Sequence, residues 1–326
     1  MERILVTGGA GYIGSHVVRK LLAKGYSVRI LDKLAFGDES IQELKTNPKF
    51  ELMRGDIRHI EDVMAAMKGV DAVIDLAGIV GDPACALDEE TTLGVNYEAT
   101  KLILSIAKYY RVKRFIFAST CSVYGASDNT ILNENSPLNP VSLYAETKIN
   151  SVKEILEACT KDFTTSILRL STNYGASPRM RFDLVVNIMT AKAVTDGKIS
   201  VFGGSQWRPL VHVQDCAEAL INCLEARADV VRAQIFNVGS EEQNYTIDDI
   251  AKIVQSVIPS ASIESVGDDA DRRSYRVSFE KIKKVLGFQA KHSVEEGVKE
   301  VAELIKSGKI KNYRDDVYYN VKYRFK

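Results

Sequence analysis

The sequence has few cysteines and no long apolar run, and each shortage excludes a class of protein. Its five cysteines are scattered, odd in number and without a C-x-x-C pair, which favours structural thiols in a reducing compartment over disulfides or a metal site. The four histidines show no ligand spacing, so no metal is expected. No apolar segment approaches the length of a membrane span, and nothing ahead of the first predicted strand resembles a signal peptide. We therefore expect a cytoplasmic protein that does not enter a membrane.

An excess of charge of either sign is also missing. The chain has 43 Lys and Arg residues against 43 Asp and Glu residues, which gives no indication of a surface for nucleic acid or anionic lipid. Gly/Ser-rich linkers, internal repeats and low-complexity segments are absent too. What is present is a chain of 326 residues that is 45% hydrophobic, as expected for one large or two medium globular domains that pack tightly around a cleft.

The most informative segment is TGGAGYIG, residues 7–14, which follows the short apolar run Ile4–Val6. The residues after it have helical periodicity, so the segment predicts a strand, a glycine turn and a helix N-terminus. Gly8 permits the tight turn, Gly11 lets the backbone approach a phosphate, and Gly14 lets the helix pack closely on the strand. The free N–H groups at the start of such a helix predict a binding site for a dinucleotide pyrophosphate.

The acidic residue that completes this fingerprint is Asp32. It ends the next predicted strand, Ser27–Leu31, about where a carboxylate must lie to hold the adenosine ribose hydroxyls. A carboxylate at this position repels the 2′-phosphate of NADP. The sequence therefore favours NAD as the cofactor.

Strand-like and helix-like segments alternate through the first half of the chain, as in a parallel sheet covered on both faces. We predict an α/β fold with a Rossmann-type, doubly wound parallel sheet over residues 1–170 and a smaller, mixed α/β substrate lobe over residues 171–326. A segment near 211–240, including the strand Gln234–Val238, is predicted to return to the main sheet. Two long helices are predicted over Thr92–Tyr110 and Ser142–Cys159.

A second motif, YAETK, lies at residues 144–148 inside the second of these helices. Tyr144 and Lys148 are four residues apart and therefore lie on one helix face. The lysine ammonium, together with an oxidised nicotinamide, would lower the pKa of the phenol from about 10 toward the range of a useful base. Such pairs are common on solvated helices. The hydroxyl-rich run Ser119–Gly125, which follows a predicted strand, gives this pair a catalytic interpretation, because ligands bind at the carboxyl ends of strands.

Three motifs in this order, TGGAGYIG, STCSVYG and YAETK, resemble the extended short-chain dehydrogenase/reductase family, and more narrowly its NAD-dependent nucleotide-sugar epimerases and dehydratases. The resemblance covers essentially the whole chain. It implies that a tyrosine removes a proton from a sugar hydroxyl, usually at C4, while the hydride passes to NAD⁺. The resulting 4-ketone is then reduced from the other face, eliminated at C5–C6, or released.

The resemblance also implies a role for each matching position. Tyr144 would be the acid/base, Lys148 its partner, and Thr120 the hydroxyl that orients the sugar. The residues implied to bind NAD lie in the glycine turn, at strand ends and on the catalytic helix: Gly8, Gly11, Tyr12, Ile13, Gly14, Asp32, Asp56, Ile57, Leu76, Ala77, Gly78, Asn96, Ser119, Tyr144 and Lys148. The residues implied to bind a nucleotide-diphosphate sugar are Thr120, Thr172, Asn173, Arg181, Arg208 and Arg273, of which the last two would hold the diphosphate.

A homodimer is implied as well, because relatives pair through the two long helices as a four-helix bundle. The apolar side chains at helical spacing on these helices would supply the contact, although some of them must cover the sheet. They are Leu102, Ile103, Ile106, Ile149, Val152 and Ile155.

Departures from the family pattern help to choose among the reactions. The 4,6-dehydratases carry Asp-Glu where this chain has Cys121 and Ser122, so a 4-epimerase fits better than a dehydratase. Thr172 stands where many relatives have Asn, and Ser177–Asp183 is more basic than usual, which indicates a variant substrate pocket. A nucleotide-sugar 4-dehydrogenase or ketoreductase that releases a keto-sugar is an alternative, and so is a non-catalytic NAD-binding scaffold. The intact set of Thr120, Tyr144 and Lys148 argues against the scaffold.

Overall fold

The computed structural model describes residues 2–267 and 273–322, and these residues form fourteen strands and twelve α-helices. The strands are β1 (Arg3–Thr7), β2 (Ser27–Asp32), β3 (Phe50–Arg54), β4 (Ala72–Asp75), β5 (Arg114–Thr120), β6 (Ala126–Leu132), β7 (Thr164–Leu170), β8 (Thr172–Tyr174), β9 (Lys198–Val201), β10 (Trp207–His212), β11 (Gln234–Val238), β12 (Asn244–Thr246), β13 (Ser262–Ser265) and β14 (Ser274–Val277). The helices are α1 (Gly14–Ala23), α2 (Ile60–Met67), α3 (Asp82–Cys85), α4 (Glu89–Leu93), α5 (Ala99–Tyr109), α6 (Leu143–Glu157), α7 (Val185–Asp196), α8 (Val213–Glu225), α9 (Ala228–Val231), α10 (Ile247–Val257), α11 (Glu280–Leu286) and α12 (Val294–Lys306). A π-helical turn, Gly94–Glu98, joins α4 to α5.

Seven of the described strands form the central sheet, in the order β11-β7-β5-β4-β1-β2-β3, and all of its neighbouring pairs are parallel. The chain leaves β1 in one direction through β2 and β3 and then crosses to β4 on the other side. This reversal confirms the predicted doubly wound sheet and puts its crevice at the carboxyl ends of β1 and β4. Pairing of β11 with β7 confirms the returning strand, whereas the domain boundary at residue 170 stays a prediction.

Both faces of the sheet are covered, which explains why its inner strands are nearly continuous apolar runs. One face packs against α1 and α8, through side chains such as Val17 and Leu220. The other face packs against α2, α5 and α6, through side chains such as Val63, Ile103 and Ile155. No helix in residues 2–267 and 273–322 is both long enough and apolar enough to cross a bilayer.

The helices expected to form a dimer use most of their apolar side chains inside the chain. Ile103, Ile106, Val152 and Ile155 are buried against the sheet, and of the six expected contact residues only Leu102 and Ile149 are partly exposed. The predicted helix Thr92–Tyr110 is also interrupted by the π-helical turn. The homodimer stays a prediction, with a smaller apolar face than the sequence suggested.

The second lobe has its own core. Strands β8, β10 and β12 form a small sheet, and the helices α7, α10 and α12 pack around residues such as Val186, Ile250 and Val298. Three hydrogen bonds to Tyr12 fasten this lobe to the glycine turn. The Tyr12 hydroxyl donates to Gly175 O at 2.7 Å and accepts from Asn187 Nδ2 at 3.2 Å, and Ser177 Oγ donates to Tyr12 O at 2.8 Å. The lobes therefore meet beside the start of α1 and leave a cleft along the carboxyl edge of the main sheet.

Candidate active site

A cleft of about 740 Å³ runs between the two lobes. The glycine turn and Asp32 line one end, Thr120 and Tyr144 line the middle, and Arg208 lines the other end. Within the described residues, every position expected to bind cofactor or substrate lines this cleft except Asn96. The topology thus brings together side chains that are more than two hundred residues apart in the sequence.

The glycine turn leaves no room for side chains. Gly8 has a φ of +67°, and a Cβ on Gly14 would lie 2.2 Å from Gly8 O. A Cβ on Gly11 would lie 3.1 Å from the same oxygen. These constraints keep the backbone bare at the start of α1, where its N–H groups can approach a pyrophosphate. The local geometry therefore fits a dinucleotide.

Two carboxylates lie beside this turn on strand ends. Asp32 accepts hydrogen bonds from the amides of Ala10 at 2.9 Å and Leu34 at 2.8 Å, while burial raises its pKa. Burial acts in the same sense on Asp56, but hydrogen bonds from Arg58 outweigh it and hold the pKa of Asp56 well below its usual range. Backbone donors thus fix the carboxylate of Asp32, which suits a residue that accepts hydrogen bonds from ribose hydroxyls.

The segment from Leu76 to Gly78 is held from behind. Thr7 Oγ1 donates to Asp75 Oδ1 at 2.5 Å and accepts from the amides of Leu76 and Ala77, both at 3.1 Å. Asn96 is 1% exposed and makes a pair of hydrogen bonds with the backbone of Ile79, at 2.8 and 2.9 Å. The π-helical turn directs Asn96 to this loop rather than into the cleft. Asn96 is not among the residues that line the cleft, so in this structure it supports the wall from behind, and its contact with NAD stays a prediction.

The expected catalytic residues converge in the middle of the cleft. Helix α6 begins with an N-cap, since Ser142 Oγ accepts from Ala145 N at 3.3 Å and donates to Asp82 Oδ1 at 2.8 Å. This cap fixes the first turn, which carries Tyr144, and Thr120 lines the same cleft, with its Oγ1 donating to Ser122 Oγ at 3.1 Å. One turn later, Lys148 Nζ donates to Ala118 O at 3.0 Å.

The electrostatics of Tyr144 differ from the expectation. Burial raises the pKa of its phenol, and Cys85 adds to this, whereas the Arg181 charge and the Thr120 hydroxyl lower it. The ammonium of Lys148 faces the Ala118 carbonyl and the Phe117 ring, 4.5 Å from its centroid, and the depression of the Tyr144 pKa expected from it stays a prediction. The contribution of an oxidised nicotinamide stays a prediction.

The two arginines expected to hold a diphosphate are adjacent. Arg208 donates to Arg273 O and, at 3.0 Å, to Gln206 Oε1, and its side chain is buried. Arg273 forms an ion pair with Asp82 Oδ2 at 3.1 Å and donates to Ser122 Oγ at 3.4 Å. They therefore form one positive wall that reaches the catalytic centre.

The other expected substrate residues divide between the two ends of the cleft. Thr172 and Asn173 lie on β8, beside β10, and line the cleft near this wall. Arg181 is elsewhere: it forms a double hydrogen bond with Asp183 at 2.9 and 3.1 Å, and its charge acts on Tyr12 and Tyr144.

Comparison with known proteins agrees with this geometry. The model of the NAD-dependent epimerase/dehydratase family matches residues 4–239. The chain belongs to this family. It is thus an NAD-dependent enzyme, with the fold class and cofactor expected from the sequence.

The relatives within the epimerase/dehydratase family carry different reaction names. A putative UDP-glucose 4-epimerase of Methanocaldococcus jannaschii is 30% identical over 311 residues, which are 93% of this chain and 98% of the relative. UDP-glucuronic acid decarboxylase 1 of Arabidopsis thaliana is 32% identical over 315 residues, 91% of this chain and 68% of the relative.

Solved structures show the same mixture of reactions on one fold. A UDP-glucose 4-epimerase of Thermotoga maritima, solved with UDP-glucose, has a TM-score of 0.83 and 26% identity and covers 94% of this chain and 99% of its own. DesIV of Streptomyces venezuelae, a dTDP-glucose 4,6-dehydratase solved with NAD and TYD, has a TM-score of 0.84 and 26% identity and covers 94% and 98%. The reaction must therefore be argued from individual residues.

Cys121 and Ser122 occupy the two positions where the 4,6-dehydratases are expected to carry Asp-Glu, and their side chains point in different directions. Cys121 is fully buried, donates to Arg169 O at 3.3 Å and faces away from the cleft, and burial raises the pKa of its thiol to about 12. Ser122 lines the cleft and offers only a hydroxyl. Neither side chain supplies a carboxyl group to the middle of the cleft.

Several cleft residues were missed by the sequence analysis. Asp82 follows the end of β4, so its place at the carboxyl edge of a predicted strand was a usable signal. Phe36, Tyr275 and Asn320 also line the cleft, but they come from the loop after β2, from strand β14 and from the segment after α12. Nothing in their local sequence indicates this position.

Proposed function

We propose that the protein is a nucleotide-sugar 4-epimerase, which oxidises C4 of a nucleotide-diphosphate sugar and then reduces the ketone from the other face. One observation carries this proposal: Thr120, Tyr144 and Lys148 lie between an NAD-type glycine turn and a pair of adjacent arginines. When bound, NAD supplies a reversible hydride acceptor. All other steps rest on side chains of this chain.

Tyr144 is the proposed acid/base. As a phenolate it accepts the proton of the C4 hydroxyl while the hydrogen on C4 leaves as hydride, so that the C4–O bond becomes a carbonyl. The reverse transfer restores the hydroxyl in either configuration. Two neighbours support this role, because the Arg181 charge and the Thr120 hydroxyl both act to lower the pKa of the phenol, which favours the phenolate.

Arg208 and Arg273 are proposed to bind the diphosphate. A guanidinium suits this role because it offers bidentate donors to phosphate oxygens. The position of Arg273 beside Ser122 would place the attached sugar close to Thr120 and Tyr144. Structures of relatives that contain UDP-glucose or UDP-glucuronic acid support the same class of substrate.

Elimination of water is disfavoured by the charges in the cleft. It needs a protonated acid near C6, but Ser122 has no carboxyl group. Asp82 lines the cleft in an ion pair with Arg273. Asp183 lines it too, and although burial raises the pKa of Asp183, the charge of its partner Arg181 outweighs this and holds that pKa below its usual range, which favours the carboxylate. Re-reduction of the ketone at C4 is therefore the outcome that these residues support.

A panel of UDP-, GDP-, CDP- and dTDP-hexoses, incubated with the full-length enzyme and NAD, tests the proposal. We expect one or more sugars to be converted to the C4 epimer, seen by NMR, without net absorbance at 340 nm. Net NADH with a released keto-sugar would instead indicate a dehydrogenase, and a 4-keto-6-deoxy sugar a dehydratase. NAD binding without turnover of any sugar would indicate the scaffold.

A further inference from the structure

Arg179 is a buried cation that has no anionic partner in hydrogen-bond contact within residues 2–267 and 273–322. It lies in the loop between β8 and α7, is 8% exposed and lines the cleft. Its Nη2 donates to Asn320 Oδ1 at 2.8 Å, and its guanidinium lies over the Phe36 ring, 3.8 Å from the centroid. Its Nε is buried and has no hydrogen-bond partner in the described part of the chain.

The charges around Arg179 do not neutralise it. Arg181, two residues along the loop, adds a second positive charge, while Asp183 and Asp32 act on Arg179 electrostatically without a hydrogen bond. Burial, followed by the Arg181 charge, lowers the pKa of Arg179 to about 9, so the guanidinium is still protonated at neutral pH. A buried charge of this kind is costly unless an anion joins it.

Arg29 shows what a buried arginine with a structural role looks like in the same protein. It is 7% exposed, and its guanidinium donates to Glu51 at 2.8 Å, to Ala66 O at 2.7 Å and to Lys68 O at 2.8 Å. These acceptors occupy both the Nε and the Nη1 donors of the Arg29 guanidinium. Arg179 is equally buried but has a single amide acceptor and an open Nε, which indicates that its remaining donors serve a ligand.

The position of Arg179 indicates which ligand. Its loop is hydrogen-bonded to the glycine turn, since Ser177 Oγ donates to Tyr12 O at 2.8 Å, and its charge acts on Asp32 and Tyr12. The guanidinium therefore faces the end of the cleft where the start of α1 provides N–H donors for a pyrophosphate. We propose that Arg179 binds the pyrophosphate of NAD from the substrate lobe, opposite the glycine turn.

This contact would also join the two lobes over the cofactor. Asn320, the partner of Arg179, donates through Nδ2 to Val80 O in the first lobe at 3.0 Å, and its amide N–H donates to Asp183 at 3.2 Å. The C-terminal segment and the Arg179 loop thus form one hydrogen-bonded cover. We expect NAD bound beneath this cover to dissociate slowly. An enzyme that returns each hydride to the sugar it came from needs such slow dissociation, because the reduced cofactor must stay bound between the two transfers. The binding contact itself does not depend on which sugar reacts.

Arg179→Met tests the contact in the full-length protein cleared of bound nucleotide. We expect the affinity for NAD and ADP-ribose, measured by calorimetry, to fall about ten- to a hundredfold through loss of a charge-assisted contact. Adenosine, which lacks phosphate, and UDP, which belongs to the other end of the cleft, should bind as before. The melting temperature without NAD should change little, because the loss of the Asn320 hydrogen bond and the Phe36 contact is offset by removal of a buried charge that has no ion pair in the described residues.

Arg29→Met is the matched control, and we expect the opposite pattern: lower stability without NAD and unchanged NAD affinity. A second variant, Asn320→Asp, keeps the guanidinium but gives it a carboxylate at the 2.8 Å contact. It should weaken NAD binding and speed NAD dissociation as well.

Three results would overturn the assignment. If Arg179→Met destabilises the NAD-free protein and leaves NAD affinity unchanged, Arg179 is structural. If UDP affinity falls and NAD affinity does not, the guanidinium binds the sugar nucleotide. A loss confined to NADP would point to a 2′-phosphate. None of these outcomes depends on finding the sugar substrate, so they are distinct from failure of the proposed epimerase reaction.

Discussion

The two ends of the cleft are built in different ways. The dinucleotide end consists mostly of backbone: a glycine turn without side chains, strand ends, and Asp32, whose carboxylate is held by two amides. The other end, where we propose that the sugar nucleotide binds, consists of side chains from distant segments. There Arg208, Arg273, Asp82 and Ser122 are joined by one ion pair and several hydrogen bonds.

This difference explains how one fold serves several reactions. A site made from backbone tolerates changes of surrounding side chains, so the cofactor is kept. A site made from paired side chains changes its chemistry when one partner changes. The names of the relatives, which include epimerases, decarboxylases and dehydratases, agree with a constant cofactor end and a variable sugar end.

The largest expected effect separates catalysis from cofactor binding. Tyr144→Phe removes only the phenolic oxygen, so turnover should fall by about a hundred- to ten-thousandfold. The affinity for NAD should change by less than about fivefold. Lys148→Ala should reduce both, since we place Lys148 against the cofactor as well as the tyrosine. Turnover of the panel sugar and calorimetric titration with NAD measure the two effects. A Tyr144→Phe enzyme with normal turnover would disprove the mechanism.

The next effect tests the sugar end. Arg208→Ala and Arg273→Ala should each reduce kcat/KM for the nucleotide sugar by about ten- to a hundredfold through loss of a charge-assisted contact, with NAD affinity unchanged. Arg314→Ala, which breaks an exposed ion pair with Asp196, is the matched control. Turnover of the free sugar as efficiently as the nucleotide sugar would contradict this prediction, as would full activity of both cleft variants.

A smaller effect tests the dinucleotide end. Asp32→Ala should weaken NAD by about tenfold through loss of hydrogen bonds to the ribose, and should narrow the preference for NAD over NADP. The measurement is a titration of wild type and variant with both dinucleotides. Equal affinity of the wild type for NADP would show that Asp32 does not select the cofactor.

The smallest effect concerns the junction between the two lobes. His16 contacts Ala176 O at 3.0 Å, and burial lowers its pKa to about 4. Below about pH 6.5 the unfolded chain binds a proton at this residue that the native state does not, so stability falls as the pH falls. From pH 7 to pH 5 this contributes a loss of about 1–2 kcal/mol. Urea unfolding of wild type and His16→Gln at both pH values measures it, and an equal loss in the two proteins would remove His16 as the cause.

The same comparison explains which parts of the fold and of the candidate site could be predicted from the sequence. The glycine turn, Asp32 and the N-capped helix with Tyr144 and Lys148 depend on residues close together in the chain, so their local pattern was sufficient. The pairing of Asp82 with Arg273 and the approach of Asn320 to Arg179 depend on tertiary packing. The orientation of Asn96 depends on a π-helical turn, which periodicity does not reveal. The raised pKa of Tyr144 arises from burial, which the spacing of two residues cannot express.

Transfer of a label at C4 tests the central claim most directly. The panel sugar is prepared with deuterium on C4 and converted by the full-length enzyme with bound NAD, and the product is analysed by NMR and mass spectrometry. Our account predicts that the C4 epimer keeps the deuterium on C4, without net NADH, because the hydride removed from each sugar returns to it. Loss of the label from C4, or its accumulation in free reduced cofactor together with a keto-sugar, would contradict the account.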